Sequence, residues 1–273
     1  MAVSMADISH LRKMTGAGMM DCKNALTEAN GDFDKAMEVI RKKGQAVAAK
    51  RSDRDASEGC VLAKSAGKYA VILALKCETD FVAKNEDFIK LTEDILDLAV
   101  EHKPADIEAL KQLPLAGATV GQVIIDRSGI TGEKMELDGY AIVEGESAAF
   151  YIHPGNMLAT VVSFNQPADE KVAHEVAMQI AAMSPIAVKE DEVPADVLAR
   201  EKEIAADKAR EEGKPENLIE RIAQGRIAKF YKEACLLNQE YLKDPSMNVA
   251  QFLDKSSKGL TVVAFKRVTL NEE

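Results

Sequence analysis

The first 43 residues place apolar side chains at the three- and four-residue spacing of α-helices. Ile8 and Leu11 share one helical face, and residues 15–18 (TGAG) interrupt that helix. Asp32 is suited to cap a third helix. The apolar positions of the second and third predicted helices are Cys22, Ala25, Leu26 and Ala29, then Phe33, Ala36, Met37 and Ile40. Residues 1–43 are therefore predicted to form a small three-helix domain, and residues 44–57, alanine-rich and then charged, are interpreted as a linker.

The hydrophobic period changes after residue 58. Residues 60–64 and 69–77 read as two strands joined by a short hairpin connection at residues 65–68. The second strand is almost continuously apolar, which indicates burial. A helix is predicted from about Asp87, with one apolar face made of Phe88, Leu91, Ile95 and Leu98.

The same unit of hairpin and helix recurs later in the chain. Residues 148–152 and 157–164 are predicted strands around the turn HPGN, and a helix follows with Val172, Val176, Ile180 and Met183 on one face. The repetition predicts an α+β fold with two related core subdomains, residues 58–140 and residues 141–191 with 243–273. Each is expected to be a small antiparallel sheet with helices on one face.

Residues 192–242 are predicted to form an inserted antiparallel helical hairpin of coiled-coil type. A first charged arm runs to Arg210, residues 212–215 (EGKP) break it, and a second arm follows. Apolar positions at coiled-coil spacing in the second arm are Ile219, Ala223, Ile227, Phe230 and Ala234. We expect the final strand, residues 260–268, to return to the second sheet.

Composition excludes several classes of protein. A formal charge of −10 disfavours general nucleic-acid binding, because phosphate contacts need a basic face. A local basic segment is explained by a solvated linker or, alternatively, by contact with the ribosome or RNA; it contains Lys35, Arg41, Lys42, Lys43, Lys50, Arg51 and Arg54. No apolar run approaches the ~20 residues of a membrane helix, and the N-terminus does not read as a signal peptide. We expect a cytoplasmic protein without a membrane contact.

Motifs for catalysis, cofactors and metals are missing from the sequence. The four histidines have no HxxxH spacing, no GxSxG stretch occurs, and Gly67-Lys68 is followed by Tyr69 instead of Ser or Thr. The four cysteines are scattered without a CxxC pair, which favours free thiols. We therefore expect a binding protein with no cofactor and no metal, and not an enzyme.

Three places are candidates for partner contact. The link after the first hairpin carries an apolar pair, Phe81 and Val82, where the second copy has the polar residues 165–170. Either Thr79 or Asp80 caps a helix while Phe81 packs under the sheet, or Phe81 is exposed for a partner. Met19 and Met20 cannot both face inward on one helix, so at least one is expected to be accessible. His153 lies in a predicted turn, and its presence there is explained either by exposure to solvent or by contact with a partner.

Two stretches resemble the signatures of the bacterial elongation factor Ts family: residues 11–26 (LRKMTGAGMMDCKNAL) and residues 79–84 (TDFVAK). The resemblance implies that the N-terminal helices form a ubiquitin-associated-like domain and that the hairpin is the coiled-coil insertion of that family. It implies a guanine-nucleotide exchange factor that binds elongation factor Tu in its GDP-bound and nucleotide-free states. In some members an extra C-terminal helix follows the last strand, and we expect its partner contact to be missing here.

The resemblance also implies roles for individual residues. Phe81 would enter the nucleotide-binding domain of the partner as a wedge that disturbs the Mg²⁺ and phosphate site, with Thr79, Asp80 and Val82 shaping the contact. Arg12, Met19 and Met20 would touch the same partner domain, and His153 would make a contact from the second subdomain. The hairpin could pair with a second copy in a 2:2 complex or only protrude. A non-catalytic adaptor that uses the ubiquitin-associated-like domain is the alternative function.

Overall fold

The computed structural model describes residues 3–271, which form helices and two three-stranded antiparallel sheets. The helices are α1 Met5–Thr15, α2 Met19–Glu28, α3 Phe33–Lys50, α4 Asp80–Ala83, α5 Glu86–His102, α6 Ile107–Gln112, α7 Val120–Thr131, α8 Glu170–Met183, α9 Ala195–Glu211, α10 Glu216–Ala234 and α11 Val249–Ser256. The strands are β1 Glu58–Ala66, β2 Tyr69–Cys77, β3 Pro114–Leu115, β4 Ala118–Thr119, β5 Glu136–Glu144, β6 Ser147–Ile152, β7 Leu158–Phe164, β8 Glu240–Tyr241, β9 Asp244–Asn248 and β10 Val262–Thr269. The structure therefore has the mixed α+β fold that the sequence predicted.

The N-terminal helices α1, α2 and α3 pack around a small apolar core that includes Leu11, Leu26 and Ala36. Ser4 closes the first turn of α1 with a capping box, and the Asp32 carboxylate caps α3 at the Lys35 N–H. Eight buried residues make up this core, and Ile130 of α7 packs against it from outside the bundle. Packing against α7 therefore contributes to the stability of the bundle.

Helix α3 runs farther than the sequence pattern predicted. It continues to Lys50, so the first half of the expected linker, residues 44–57, is helical. The reason is a contact that only the fold creates: Gly44 is buried where α3 crosses α7, and a Cβ on Gly129 would lie only 2.0 Å from the Gly44 Cα. Two glycines let the helix backbones touch, and this packing extends α3 across the predicted boundary.

The two sheets, ordered β1-β2-β5 and β10-β7-β6, pack face to face. Alternate residues of β2 explain its continuous apolar run. Leu73 and Leu75 face the helices of the first core subdomain, while Ile72 joins Val61 and Val161 in a core between the sheets. Each sheet is thus buried on both faces, by helices on one side and by the other sheet on the other.

The outer faces of the sheets are covered by helices from both predicted copies. In the first, Phe88 and Ile95 of α5 and Ile124 of α7 pack on the sheet. In the second, Val176 and Ile180 of α8 and Leu253 of α11 do so. Strand β5 pairs with β2 through residue 144, so the predicted boundary after residue 140 falls inside a strand of the first sheet.

Helices α9 and α10 lie side by side after the second copy. Arg226 of α10 donates to the Ala205 carbonyl at 3.3 Å and binds Glu212 at 2.7 Å. The segment that precedes α9 and the residue that caps the end of α10 meet at the Ala187–Cys235 bridge. Strand β10 then pairs with β7, so the prediction that the last strand returns to the second sheet is confirmed. The predicted hairpin segment, residues 192–242, also contains the short strand β8 after α10 ends at Ala234.

Candidate partner-binding site

The TDFV segment (Thr79, Asp80, Phe81 and Val82) forms a single helical turn between β2 and α5. The Thr79 hydroxyl caps α4 by accepting from the Val82 N–H at 3.5 Å. Asn85 follows that turn and caps α5, accepting from the Asp87 N–H at 2.9 Å. Two caps within seven residues therefore give this short connection a defined backbone in place of a loose loop.

Phe81 points away from the protein on this turn. Its exposed fraction is 84%, larger than that of any other large apolar residue in the range 3–271. Val82 packs partly against the first core, and Ala83 is buried. The interpretation in which Phe81 packs beneath the sheet is therefore wrong. The turn packs Val82 and Ala83 toward the first core and leaves the aromatic ring in solvent.

Side chains from distant parts of the chain hold the start of the segment. The Glu133 carboxylate accepts from the Thr79 hydroxyl at 2.6 Å and from the Thr79 N–H at 3.1 Å. The preceding Glu78 carboxylate accepts from Arg51 at 2.8 Å and from the Lys134 N–H at 2.6 Å. Thr79 and Glu78 are thereby fixed to the residues that follow α7 and to the end of α3.

The charges around the segment are locally balanced. Lys84 donates to Asp80 at 2.6 Å, which lowers the pKa of Asp80 and raises that of Lys84. Burial is the largest influence on Glu78 and raises its pKa, but the Lys134 N–H and Arg51 outweigh it, so the net pKa is lowered. Both carboxylates are ionised at neutral pH, and the ring of Phe81 stands between charged neighbours.

Arg12, Met19 and Met20 lie on the N-terminal bundle, all three exposed. The exposed fractions of Met19 and Met20 are 43% and 65%, so both methionines, and not merely one, are accessible. The bundle and the TDFV segment share a support. Arg127 of α7 binds Asp87 at the start of α5 at 3.0 Å, while Ile130 of the same helix packs into the bundle.

His153 is in a different environment. It follows β6 in an exposed turn, and its Nδ1 lies 3.0 Å from the Tyr151 hydroxyl. The Tyr151 ring in turn packs edge-on against His174, with 5.7 Å between the ring centres. The contacts of His153 are thus with the second sheet and not with the TDFV segment.

The sequence pattern did not reveal the residues that hold the segment. Glu133 and Lys134 lie outside every motif, and Glu133 is 54 positions after Thr79 in the chain. Arg51 was noted only as one residue of the basic segment, and Glu78 only directly precedes TDFV. Hydrophobic periodicity detects faces of helices and strands, and it carries no information about polar side chains that meet after folding.

The described part of the chain offers neither a metal site nor a membrane span. Among residues 3–271, no three His, Cys, Asp or Glu side chains gather where they could hold a metal ion. Every helix in that range is too short or too polar to cross a bilayer. All four cysteines are buried free thiols, and burial raises the pKa of Cys77 to about 12, which keeps it protonated.

Comparison with known proteins places this architecture in a family. The family model described as Elongation factor TS matches residues 78–272. Elongation factor Ts of Porphyromonas gingivalis is 58% identical over 274 residues, a match that covers 100% of both chains. Elongation factor Ts of Bacteroides thetaiotaomicron is 51% identical over 330 aligned positions, again with 100% of both chains covered. The chain therefore belongs to the elongation factor Ts family of translation elongation factors.

Proposed function

We propose that this protein is a guanine-nucleotide exchange factor for elongation factor Tu, acting in the cytoplasm, and that Phe81 is its wedge. The observation that carries the proposal is the exposure of that ring, 84%, on a capped helical turn. A few buried aromatic side chains carry much of the binding energy at protein interfaces, and an exposed ring on a defined turn is available for that role. The family relationship supports the choice of partner, and the exposed ring supports the choice of contact residue.

The expected mechanism needs no catalytic acid or base. A GTPase holds GDP largely through backbone amides around the phosphates and through Mg²⁺. A ring pushed between elements of that site displaces the ion and the phosphate loop, and the nucleotide leaves faster. By thermodynamic reciprocity, bound GDP must weaken the factor by the same coupling free energy, so the factor prefers the nucleotide-free partner.

The rigidity of the TDFV segment supports this mechanism. A loop that must be ordered on binding costs conformational entropy, and a preformed turn avoids most of that cost. Thr79 caps the turn, and Glu133 holds Thr79 in place. Burying the Phe81 ring in the partner is worth roughly 1.5–3 kcal/mol of apolar transfer, enough to contribute materially to opening a nucleotide site.

Further contacts belong to the same proposal. Arg12, Met19 and Met20 would bind the same partner domain from the N-terminal bundle, which we interpret as ubiquitin-associated-like. His153 would add a contact from the second sheet. Helices α9 and α10, interpreted as the coiled-coil insertion, could pair with a second copy and so give a 2:2 complex. Exposed methionines suit such a surface because their side chains adapt to a partner.

The deciding experiment measures release of a fluorescent GDP analogue from elongation factor Tu with this protein added. The wild type is expected to accelerate release, and Phe81→Ala to lower the rate by about tenfold or more, as for an interface anchor. Leu242→Ala is the matched control, because Leu242 is another exposed apolar residue, at 48%, located between β8 and β9.

The outcomes separate the functions. Loss of exchange in a folded Phe81→Ala protein, with Leu242→Ala unaffected, would support the wedge. A wild type that does not accelerate release would overturn the exchange function. Binding of unrelated helices by the N-terminal bundle, indifferent to Phe81, would then favour the adaptor.

A further inference from the structure

The residues just before Phe81 lie beyond the end of the first sheet. The last paired residues of β2 are Cys77, opposite Glu58, and Lys76, opposite Glu136. Residues 78 and 79 therefore cannot take their position from the strand ladders. What positions them must come from side-chain contacts.

Those contacts form a clasp, which we define as Arg51, Glu78, Thr79, Glu133 and Lys134. Two consecutive residues of the site, Glu78 and Thr79, bind two consecutive residues that follow α7. The side-chain relative exposure of Glu78 is only 14%, so its ion pair with Arg51 is shielded more than a typical surface pair. Hydrogen bonds to a charged carboxylate contribute more than hydrogen bonds between neutral groups.

The clasp is anchored on both sides by helix ends. Glu133 lies two residues beyond α7, where its N–H donates to the Thr131 hydroxyl at 3.3 Å and its carbonyl accepts from Ser128. Arg51 is the C-cap of α3, the long helix of the N-terminal bundle. Because α3 and α7 touch at Gly44 and Gly129, the two anchors belong to one helix pair.

Arg51 ends α3 and binds Glu78, which precedes Phe81 by three residues. This ion pair therefore connects the N-terminal bundle to the segment that carries the ring. Misplacing a reacting or binding group by about 1 Å can cost on the order of a hundredfold in rate. The position of the ring thus depends on residues that never need to touch the partner.

We propose that Arg51, Glu78 and Glu133 are positioning residues for nucleotide exchange, holding the TDFV segment in the geometry from which Phe81 enters the partner. This inference rests on the proposed exchange function. It predicts that breaking the clasp impairs the opening step more than the binding of the two proteins, because the bundle and the other surfaces still bind.

The test titrates Arg51→Gln and Glu133→Gln against elongation factor Tu carrying the fluorescent GDP analogue. We expect the maximal release rate to fall on the order of ten- to a hundredfold, with only a small change in the half-saturating concentration. Arg51→Lys, which keeps the charge, should recover part of the rate. Lys50→Gln is the control, since it removes a neighbouring charge whose side chain makes no ion pair within the part of the chain the structure describes.

A double-mutant comparison distinguishes positioning from general destabilisation. If the clasp acts only through the wedge, Arg51→Gln should have no further effect in a Phe81→Ala background. A merely structural defect would lower release in both backgrounds. Amide hydrogen exchange of the free protein should also rise at residues 79–84 in the clasp variants, a readout that needs no partner.

Failure of the positioning proposal can be distinguished from failure of the exchange function. Wild-type maximal rates in folded Arg51→Gln and Glu133→Gln proteins would overturn the positioning proposal while leaving the exchange function intact. Additive losses in the Phe81→Ala background would overturn it as well. A wild type without exchange activity would overturn both proposals, and hydrogen exchange would then show only whether the clasp orders the segment.

Discussion

The two copies of the hairpin-and-helix unit differ in how the second strand is linked to the following helix. In the first, the link from β2 to α5 exposes Phe81 and is held by charged side chains from elsewhere. In the second, the link from β7 to α8 is polar, and Asn165 ties it to the chain before β10, donating to the Gly259 carbonyl and accepting from the Thr261 N–H. The second link is thus bound to the rest of the protein, whereas the first link exposes an apolar side chain to solvent.

The comparison shows where the fold can carry an exposed apolar side chain without loss of stability. Both links are capped and ordered, so neither is a flexible loop. The difference is whether the apolar residue is enclosed by the fold. A scaffold that is stable with a polar link can place a ring in solvent at the same position, because the ring contributes little to its own core.

The largest effect should come from contrasting Phe81 with Phe88, seven residues later. Phe88 is 1% exposed and lies in the first core, so Phe88→Ala should lower the free energy of unfolding by about 3–5 kcal/mol. Phe81→Ala should change it by less than about 0.5 kcal/mol. Chemical denaturation of both variants measures this, and a comparable loss for Phe81→Ala would show that its ring supports the fold.

A second contrast concerns the bundle, which packs against the first copy. Gly129→Ala would place a Cβ 2.0 Å from the Gly44 Cα, so the helices must separate, at a cost of about 1–3 kcal/mol. Gly225→Ala in α10 meets open space and should stabilise that helix by up to about 1 kcal/mol. Thermal melting of the two variants measures this difference. An unchanged melting temperature in Gly129→Ala would contradict the close crossing of α3 and α7.

A third prediction concerns acid in the second copy. The Glu175 carboxylate accepts from Tyr241 and, at 2.8 Å, from Lys243. Burial, the largest influence, raises the pKa of Glu175, but these two partners outweigh it, and the net pKa lies below the ordinary 4.5. Stability from this group is therefore present above pH 4.5 and is lost as the pH falls through the lower folded pKa.

Glu175→Gln is expected to remove this pH-dependent contribution. At neutral pH the variant should be less stable by about 1–3 kcal/mol, because it loses a charged hydrogen-bond acceptor that is nearly buried. The difference from wild type should shrink as denaturation is repeated at progressively lower pH. A difference that stays constant across the acid range would show that Glu175 has an ordinary pKa in the folded protein.

The smallest expected effects are those of the helix caps, one in each link. Asp169 caps α8 and Thr79 caps α4, and losing either cap should cost about 1 kcal/mol of stability. Asp169→Ala should leave GDP release from elongation factor Tu unchanged. Thr79→Val, which also loses the bond to Glu133, should reduce it. Equal release by both variants would mean that the two links do not differ in function.

Much of the fold could be predicted because burial leaves a periodic record in the sequence. The apolar run at residues 69–77 marked β2, the four-residue spacing of Val172, Val176 and Ile180 marked α8, and Pro215 marked the start of α10. Residues 103–135 were not assigned to elements, although they form α6, α7 and a small β3-β4 ribbon. Helix α7 is only partly buried and glycine-containing, so its pattern is weak.

The α+β class, both hairpins, the order of the main helices and the position of the TDFV segment could be predicted from the sequence, because they depend on local spacing and local caps. The continuation of α3 to Lys50, the packing of the two sheets against each other and the exposure of Phe81 became visible only in the folded protein. Only folding brought Arg51 and Glu133 to the segment. Such contacts join residues far apart in the chain, and their partners are specified by the packing of whole helices and sheets and not by any local pattern.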